Sequence, residues 1–552
     1  MRRRVLLLSL LLSPLSACND AIPNHSTPNA LLPTVALADR MAYVEQNSHT
    51  AFLLDPASKT LVPRMVSVGK APVAAVKRNG QNQLLVLSQG DPGSAQITPV
   101  AAELEEIDAD ASVAPVTYTL ASRFNGLAQS PDGRFVLLYH GSSAQNSGES
   151  PLFNPNELAI VDLTLPPSVA TQSTVSNPYA KSIRSLGGVP TGVVFSPSFT
   201  FASTPRILAV ILAENYVTIV DMNNPDRTEI TVPLSTDSNS TLSPAQVLFD
   251  TVNPNIYVLA YGSDDIFQIS LTDLGAAAPA PPSNDFRVSL SILAAGTSPS
   301  DMALYSTGGS TRLAVLAPGS QTLAIIDPST SSTTSIATSI PANQMVVFNT
   351  SSPSAPDQSE QQALLVDVSS GSTSVLFADL QSIETAGNLA LVSYPLGASA
   401  TSVVPLLDQG IVVLMYSQYS ANALSVVDLA KRELSPIGAG SGLQGSVIDS
   451  TAPSRLWSID SGAQYGLCYL NLVARTGQAS LSTGEIWLDQ NITNIIPLGQ
   501  ASSDGHRYLA VEQDDANKVG NVTLVDADNP DRTSARTAYG FLLTNYLERG
   551  QP

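Results

Sequence analysis

The residues best able to do chemistry are few and scattered in this chain. Asp526, Asp528 and Asp531 lie within six residues and could offer carboxylates to calcium, and Glu103, Glu105, Glu106, Asp108 and Asp110 form a second concentration. The first set has a twin at residues 221–226, where Asn223 stands in place of Asp528, which favours turn chemistry over a ligand set. No metal is therefore expected. The second set reads as a solvated strand edge whose charges discourage pairing between sheets. The four histidines, His25, His49, His140 and His506, are far apart and show no metal-binding spacing. Cys468 falls in the apolar run 466–470 and reads as a buried structural thiol. Gly440, Gly442 and Gly445 match Gly-x-Gly-x-x-Gly, but Val447 and Ile448 read as a strand and no helix opens there. Neither a Gly-x-Ser-x-Gly elbow nor a phosphate-binding loop occurs, so no cofactor is expected.

The elements that must position any site repeat along the chain. An apolar run ends at Asp55, Asp108, Asp162, Asp221, Ser270, Asp327, Asp379, Asp428, Asn471 and Asp526, about 50 residues apart each time, and a period of this size marks a repeat architecture. The repeat is nearly literal between residues 217–228 and 522–533, each a β-branched strand followed by Asn-Pro-Asp. Around Asp221 one period reads as four strands, residues 192–195, 207–212, 216–221 and 229–233, all too short for helices. Several are apolar throughout, which suits strands covered on both faces. The expected fold is all-β, a β-propeller of four-stranded antiparallel blades with about ten units. One large ring is preferred to two smaller rings or to a seven- or eight-bladed ring with decorations. Residues 275–282, rich in Ala and Pro, are expected between a third and a fourth strand.

Ser130-Pro131-Asp132-Gly133-Arg134-Phe135 and Ser503-Asp504-Gly505-His506-Arg507-Tyr508 resemble the blade signature of YVTN and TolB-type propeller repeats. Gly69 to Pro72, residues 188–197 and Gly296 to Pro299 are similar to the same repeats' entry into a first strand. The resemblance covers most of residues 42–540. It implies the fold, and leaves function open because such propellers host binding proteins, periplasmic factors and some enzymes.

At the N-terminus, Arg2-Arg3-Arg4, an apolar run and Leu15-Ser16-Ala17-Cys18 have the regions of an export signal and resemble the lipobox of bacterial lipoproteins. That resemblance implies cleavage before Cys18, acylation of Cys18, and enough acyl chains for stable anchoring. The expected organisation is a signal peptide at 1–17, a lipid-anchored tether at 18–35 and the propeller at 36–552. The expected location is the cell envelope, at the outer membrane.

Losing the three arginines takes the formal charge from −20 to −23, which argues against nucleic acid and anionic lipid as partners through bulk charge. Two functional classes remain. One is a lipid-anchored, non-catalytic scaffold whose loops or channel bind an envelope protein, a peptide or a glycan. The other is an enzyme resembling propeller lactonases, lyases or quinone-dependent dehydrogenases, and the dearth of catalytic motifs favours the scaffold. Finally, residues 41–68 supply three strands while residues 541–547 are an extra apolar segment, so the C-terminal segment is expected to complete the first blade.

Overall fold

A strand that is apolar at every position needs cover on both faces, and neighbouring sheets supply it here. In the all-apolar middle of Gln83–Ser88, Leu84 and Val86 pack among Val44, Leu53 and Ile107 on one side. Leu85 and Leu87 pack among Leu104, Val136 and Leu138 on the other. The computed structural model describes residues 30–93, 98–141, 154–168, 176–184, 188–201, 203–235, 241–275, 278–352, 355–369, 371–416, 422–438, 443–449, 451, 454–460, 465–472, 483–514 and 520–542.

Ten four-stranded antiparallel sheets follow one another along the chain, each built from strands consecutive in sequence. They form a ten-bladed β-propeller. Blade 1 spans residues 35–67, blade 2 72–120, blade 3 126–182, blade 4 190–233, blade 5 243–294, blade 6 301–337, blade 7 344–395, blade 8 400–438, blade 9 443–487 and blade 10 491–538. The one interruption is a small hairpin, Phe199–Phe201 with Thr204–Arg206, between the first two strands of blade 4. First strands touch between blades 1 and 2, 3 and 4, 5 and 6, 6 and 7, and 9 and 10, which puts the first strands on the channel side of the ring.

Among the described residues, ten clusters of buried apolar side chains occupy ten junctions, and each draws on two neighbouring blades. The tenth joins Met41, Tyr43 and Phe52 of blade 1 to Leu498, Val522 and Leu524 of blade 10. That junction makes one ring rather than two. Its hydrogen bonds run from Gln500 N to Ala38 O (2.8 Å), from Ser502 Oγ to Asp39 O (3.1 Å) and from Arg536 Nη1 to Ser58 O (3.0 Å).

The repeat markers now have a physical cause. Each stands at the end of the third strand of its blade, except that Asp55 lies one residue past it and Ser270 three residues short of Asp273. All eight aspartates accept a main-chain N–H two or three residues ahead, at 2.8–3.1 Å, which starts the turn into the fourth strand. In blade 5 the turn aspartate is Asp273, which receives Gly275 N at 2.8 Å. The Ser-Pro-Asp-Gly segment turns between the first and second strands of blade 3. Gly133 has φ +67° there, and a Cβ on it would lie 2.1 Å from Asn79 O. Residues 275–282 lie between the third and fourth strands of blade 5, as expected.

Two expectations are corrected. Blade 1 takes its missing strand from upstream, where Val35–Ala36 pairs with Met41 and Ala42. Phe541 adds no strand; it is fully buried in the junction between blades 10 and 1, edge-on to Tyr43 at 5.3 Å, and residues 543–547 lie outside the described residues. Glu103, Glu105, Glu106 and Asp108 are not on a sheet edge. They belong to Ala102–Asp108, the third strand of blade 2, which is paired on both sides.

Candidate functional site

Three places gather polar chemistry. The first is the rim of the face that carries the third-strand aspartates. An antiparallel hairpin sets the residue that opens the second strand opposite the one that closes the third, and arginine recurs at or beside that position. Arg134 meets Asp162 at 2.8 Å, Arg312 meets Asp327 at 3.3 Å, and Arg455 Nε donates to Asn471 at 2.6 Å. Arg206, 1% exposed, donates to Asp221 and to Asp285 of blade 5, both at 2.5 Å, with its guanidinium over the edge-to-face pair Phe201 and Phe286. Arg507 bridges Asp528 of blade 10 and Asp449 of blade 9. Sequence reasoning gave these arginines no role; the signal was an Arg within two residues of the start of each of these second strands.

The calcium candidates sit on this rim with each carboxylate already engaged. Asp526 receives Asp528 N and Asn529 N and faces His506 Nδ1 at 2.9 Å. Burial disfavours the charge on Asp528, but the guanidinium of Arg507 outweighs it and holds the carboxyl below its usual range. Asp531 caps a short 3₁₀ turn by accepting from Thr533 N and Oγ1. Among the described residues no group of three His, Cys, Asp or Glu is placed to hold a metal. Cys18 and His25 lie outside the described residues. His49 sits in a turn, and His140 is buried against Phe124 at 4.8 Å.

The second place is a cleft between blades 3 and 4. It encloses about 190 Å³ and is lined by Phe135 and Tyr179, by Ile160, Leu165 and Met222, and by Arg134, Asp162 and Asn177. Asn177 is fixed from both ends of its amide, accepting Asp162 N at 3.0 Å and donating to Asp162 O at 2.9 Å and Leu165 O at 3.0 Å. Burial raises the Asp162 carboxyl, but Arg134 and Thr164 overcome that and keep it ionised, below its usual range. The arrangement offers an apolar floor with a fixed ion pair and amide at its side.

The third place is a buried acidic nest between blades 1 and 2. Glu105, 6% exposed, accepts Gly69 N at 2.8 Å. Burial pushes its carboxyl up to about 7, only partly offset by that bond, with Glu103 adding repulsion. A Cβ on Gly69 would lie 2.2 Å from Glu103 Oε1 and 2.7 Å from Ser88 Cβ, so only glycine fits. Neighbouring Glu106 is neutralised by Arg78 at 2.5 Å. Glu105 can take up or release a proton near neutrality, but it is too enclosed for a substrate to reach.

Cys468 is in a strand as expected, Gly466–Asn471, but it is half-buried rather than buried, with Ser458 and Glu485 as its cross-strand neighbours. Burial first, then Glu485 and Asp460, push its thiol up to about 12. Gly445 lies within a strand, Leu443–Asp449, the next described element is the strand Arg455–Asp460, and Gly440 and Gly442 lie outside the described residues.

No known family's sequence profile matches the chain, and none of the curated proteins does. Among solved structures it is similar to dihydro-heme d1 dehydrogenase NirN, at 10% identity and TM-score 0.37, covering 91% of this chain and 74% of that one. Apo AztD from Citrobacter koseri aligns at 10% identity and TM-score 0.30, over 64% of this chain and 82% of its own. At that distance neither structure's ligand transfers to this chain.

Proposed function

We propose that this protein is a lipid-anchored, non-catalytic binding scaffold of the cell envelope, held at the outer membrane through Cys18. The observation that carries the reading is the cleft between blades 3 and 4. Small-molecule sites usually enclose about 300–1,000 Å³, so a cleft of 190 Å³ suits one amino-acid side chain or one sugar ring and is too small for a porphyrin or a quinone cofactor. Its charged residues neutralise each other, so Arg134 and Asp162 orient a guest rather than attack it. A peptide or glycan of an envelope partner is the matching guest, and the net charge of −20 disfavours a polyanion.

Affinity capture from detergent-solubilised envelope, with Tyr179→Ala as the comparison, tests this reading. A stoichiometric partner that is lost from the variant supports it. A partner retained equally by the variant would move the site elsewhere. Anchoring is tested separately with Cys18→Ser, which should no longer incorporate labelled fatty acid. Incorporation equal to the parent's would remove the lipid anchor from the proposal.

A further inference from the structure

Outer strands of propeller blades are sheet edges, and edges left long, flat and uncharged recruit other chains. Nine of the ten outer strands here have three to six residues, and most carry Pro, Lys, Arg or Glu. Blade 5 departs from this pattern. Its outer strand, Phe286–Ala294, has nine residues, Phe-Arg-Val-Ser-Leu-Ser-Ile-Leu-Ala, with Arg287 as its single charge, and it is the last strand of its sheet.

One face of that strand carries Phe286, Val288, Leu290 and Ile292. Phe286 and Val288 are covered by the junction with blade 4. Blade 4's own outer strand, Ile230–Pro233, is only four residues long, so blade 5 overhangs it. Leu290 and Ile292 are consequently 38% and 59% exposed. The opposite face shows Arg287, Ser289 and Ser291. Along the edge, alternate residues point N–H and C=O away from the paired strand, about four such residues over this length.

Charge marks one end of the ledge. Asp265 pairs with Ala294, and Asp264 adjoins it. Burial raises the Asp265 carboxyl, and the charge of Asp264 raises it further, so a cation beside the pair would be favoured.

We propose that the outer edge of blade 5 binds an extended peptide segment by strand addition, the segment carrying alternating apolar side chains and a Lys or Arg that meets Asp264 and Asp265. The edge supplies main-chain hydrogen bonds, Leu290 and Ile292 receive alternate side chains, and the two carboxylates set polarity. The surface lies on a different blade from the cleft and does not rest on the cleft's role.

The probe is a capped peptide of four Thr-Val repeats with lysine at each end, and a glutamate-ended version is the control. Fluorescence anisotropy should show the lysine-ended probe binding about tenfold more tightly than the control. Hydrogen exchange should show the amides of Phe286–Ala294 slowing when the probe is bound. Ile292→Lys and Asp265→Asn should each weaken the probe while leaving the melting temperature unchanged, because Ile292 is 59% exposed and Asp265 opens the neighbouring strand opposite Ala294, outside the apolar junctions. The proposal is overturned if strand amides exchange equally with and without probe, or if Ile292→Lys binds like the parent. Protection that grows with protein concentration in the absence of probe would also overturn it, by making a second copy of the chain the occupant.

Discussion

Replacing Glu105 by Gln should make the protein more stable, and only above a particular pH. The Glu105 carboxyl is lifted from 4.5 in the free chain to about 7 in the fold. Between those values the folded state holds a proton that the unfolded state has released. Wild-type stability is therefore greatest below pH 4.5 as far as this group is concerned, falls as pH rises through 7, and levels off above. At about 1.4 kcal/mol per pH unit the full penalty approaches roughly 3 kcal/mol, and water at the rim of the nest reduces it to about 2 kcal/mol. Gln is neutral at all these pH values and keeps an oxygen for Gly69 N, so Glu105→Gln lacks the penalty. In a ring of this size about 2 kcal/mol corresponds to a melting shift of about 2 °C. Differential scanning fluorimetry from pH 4 to pH 9 should show coincident curves at pH 4 and the variant melting higher at pH 8. A variant that melts lower than wild type at pH 8, or a difference that does not change with pH, would refute the reasoning.

Three further outcomes are expected. Arg206→Met leaves Asp221 buried without its partner and should cost about 3–5 kcal/mol, seen as a lowered melting temperature and faster hydrogen exchange in blades 4 and 5. Phe541→Ala empties the junction between blades 10 and 1 and should cost about 3–5 kcal/mol, so unchanged melting would show that the seam is held elsewhere. Cys468, its thiol pushed up to about 12, should react with a maleimide at pH 7.5 only after denaturant is added, whereas rapid labelling of the native protein would show the thiolate to be accessible.

The blades were legible because one chemical device recurs in them. An aspartate that closes the third strand and captures the next turn's N–H leaves a mark at a fixed period, and its eight aspartate copies lie where the strands end. Three second strands, Phe135–Tyr139, Leu208–Ala213 and Ile411–Tyr416, are apolar throughout and could have been found on that ground alone, but the aspartates gave the count. What escaped was anything that depends on packing between blades. Glu105 and Glu106 look like edge charges in a string of letters, and only the sheet order shows them inside. Val35–Ala36, two residues long, is too short to be read as a strand without its partner. The cleft between blades 3 and 4 joins Tyr179 to Met222 across a junction that no local pattern announces.

The seam between the last and first blades has a kinetic meaning. Nine junctions join blades that follow one another along the chain, so each can form once its two blades exist, whereas the tenth must bring together residues such as Thr34 and Glu512, 478 positions apart. Closing a loop of that length costs about 5–6 kcal/mol in chain entropy. Among the described residues no strand is shared across the seam to offset it, since blade 1 is built from residues 35–67 and blade 10 from residues 491–538. The ring therefore closes last and opens first, and its nearest excursion from the native state is a C-shaped molecule with the apolar surfaces around Tyr43 and Phe541 exposed at its two ends.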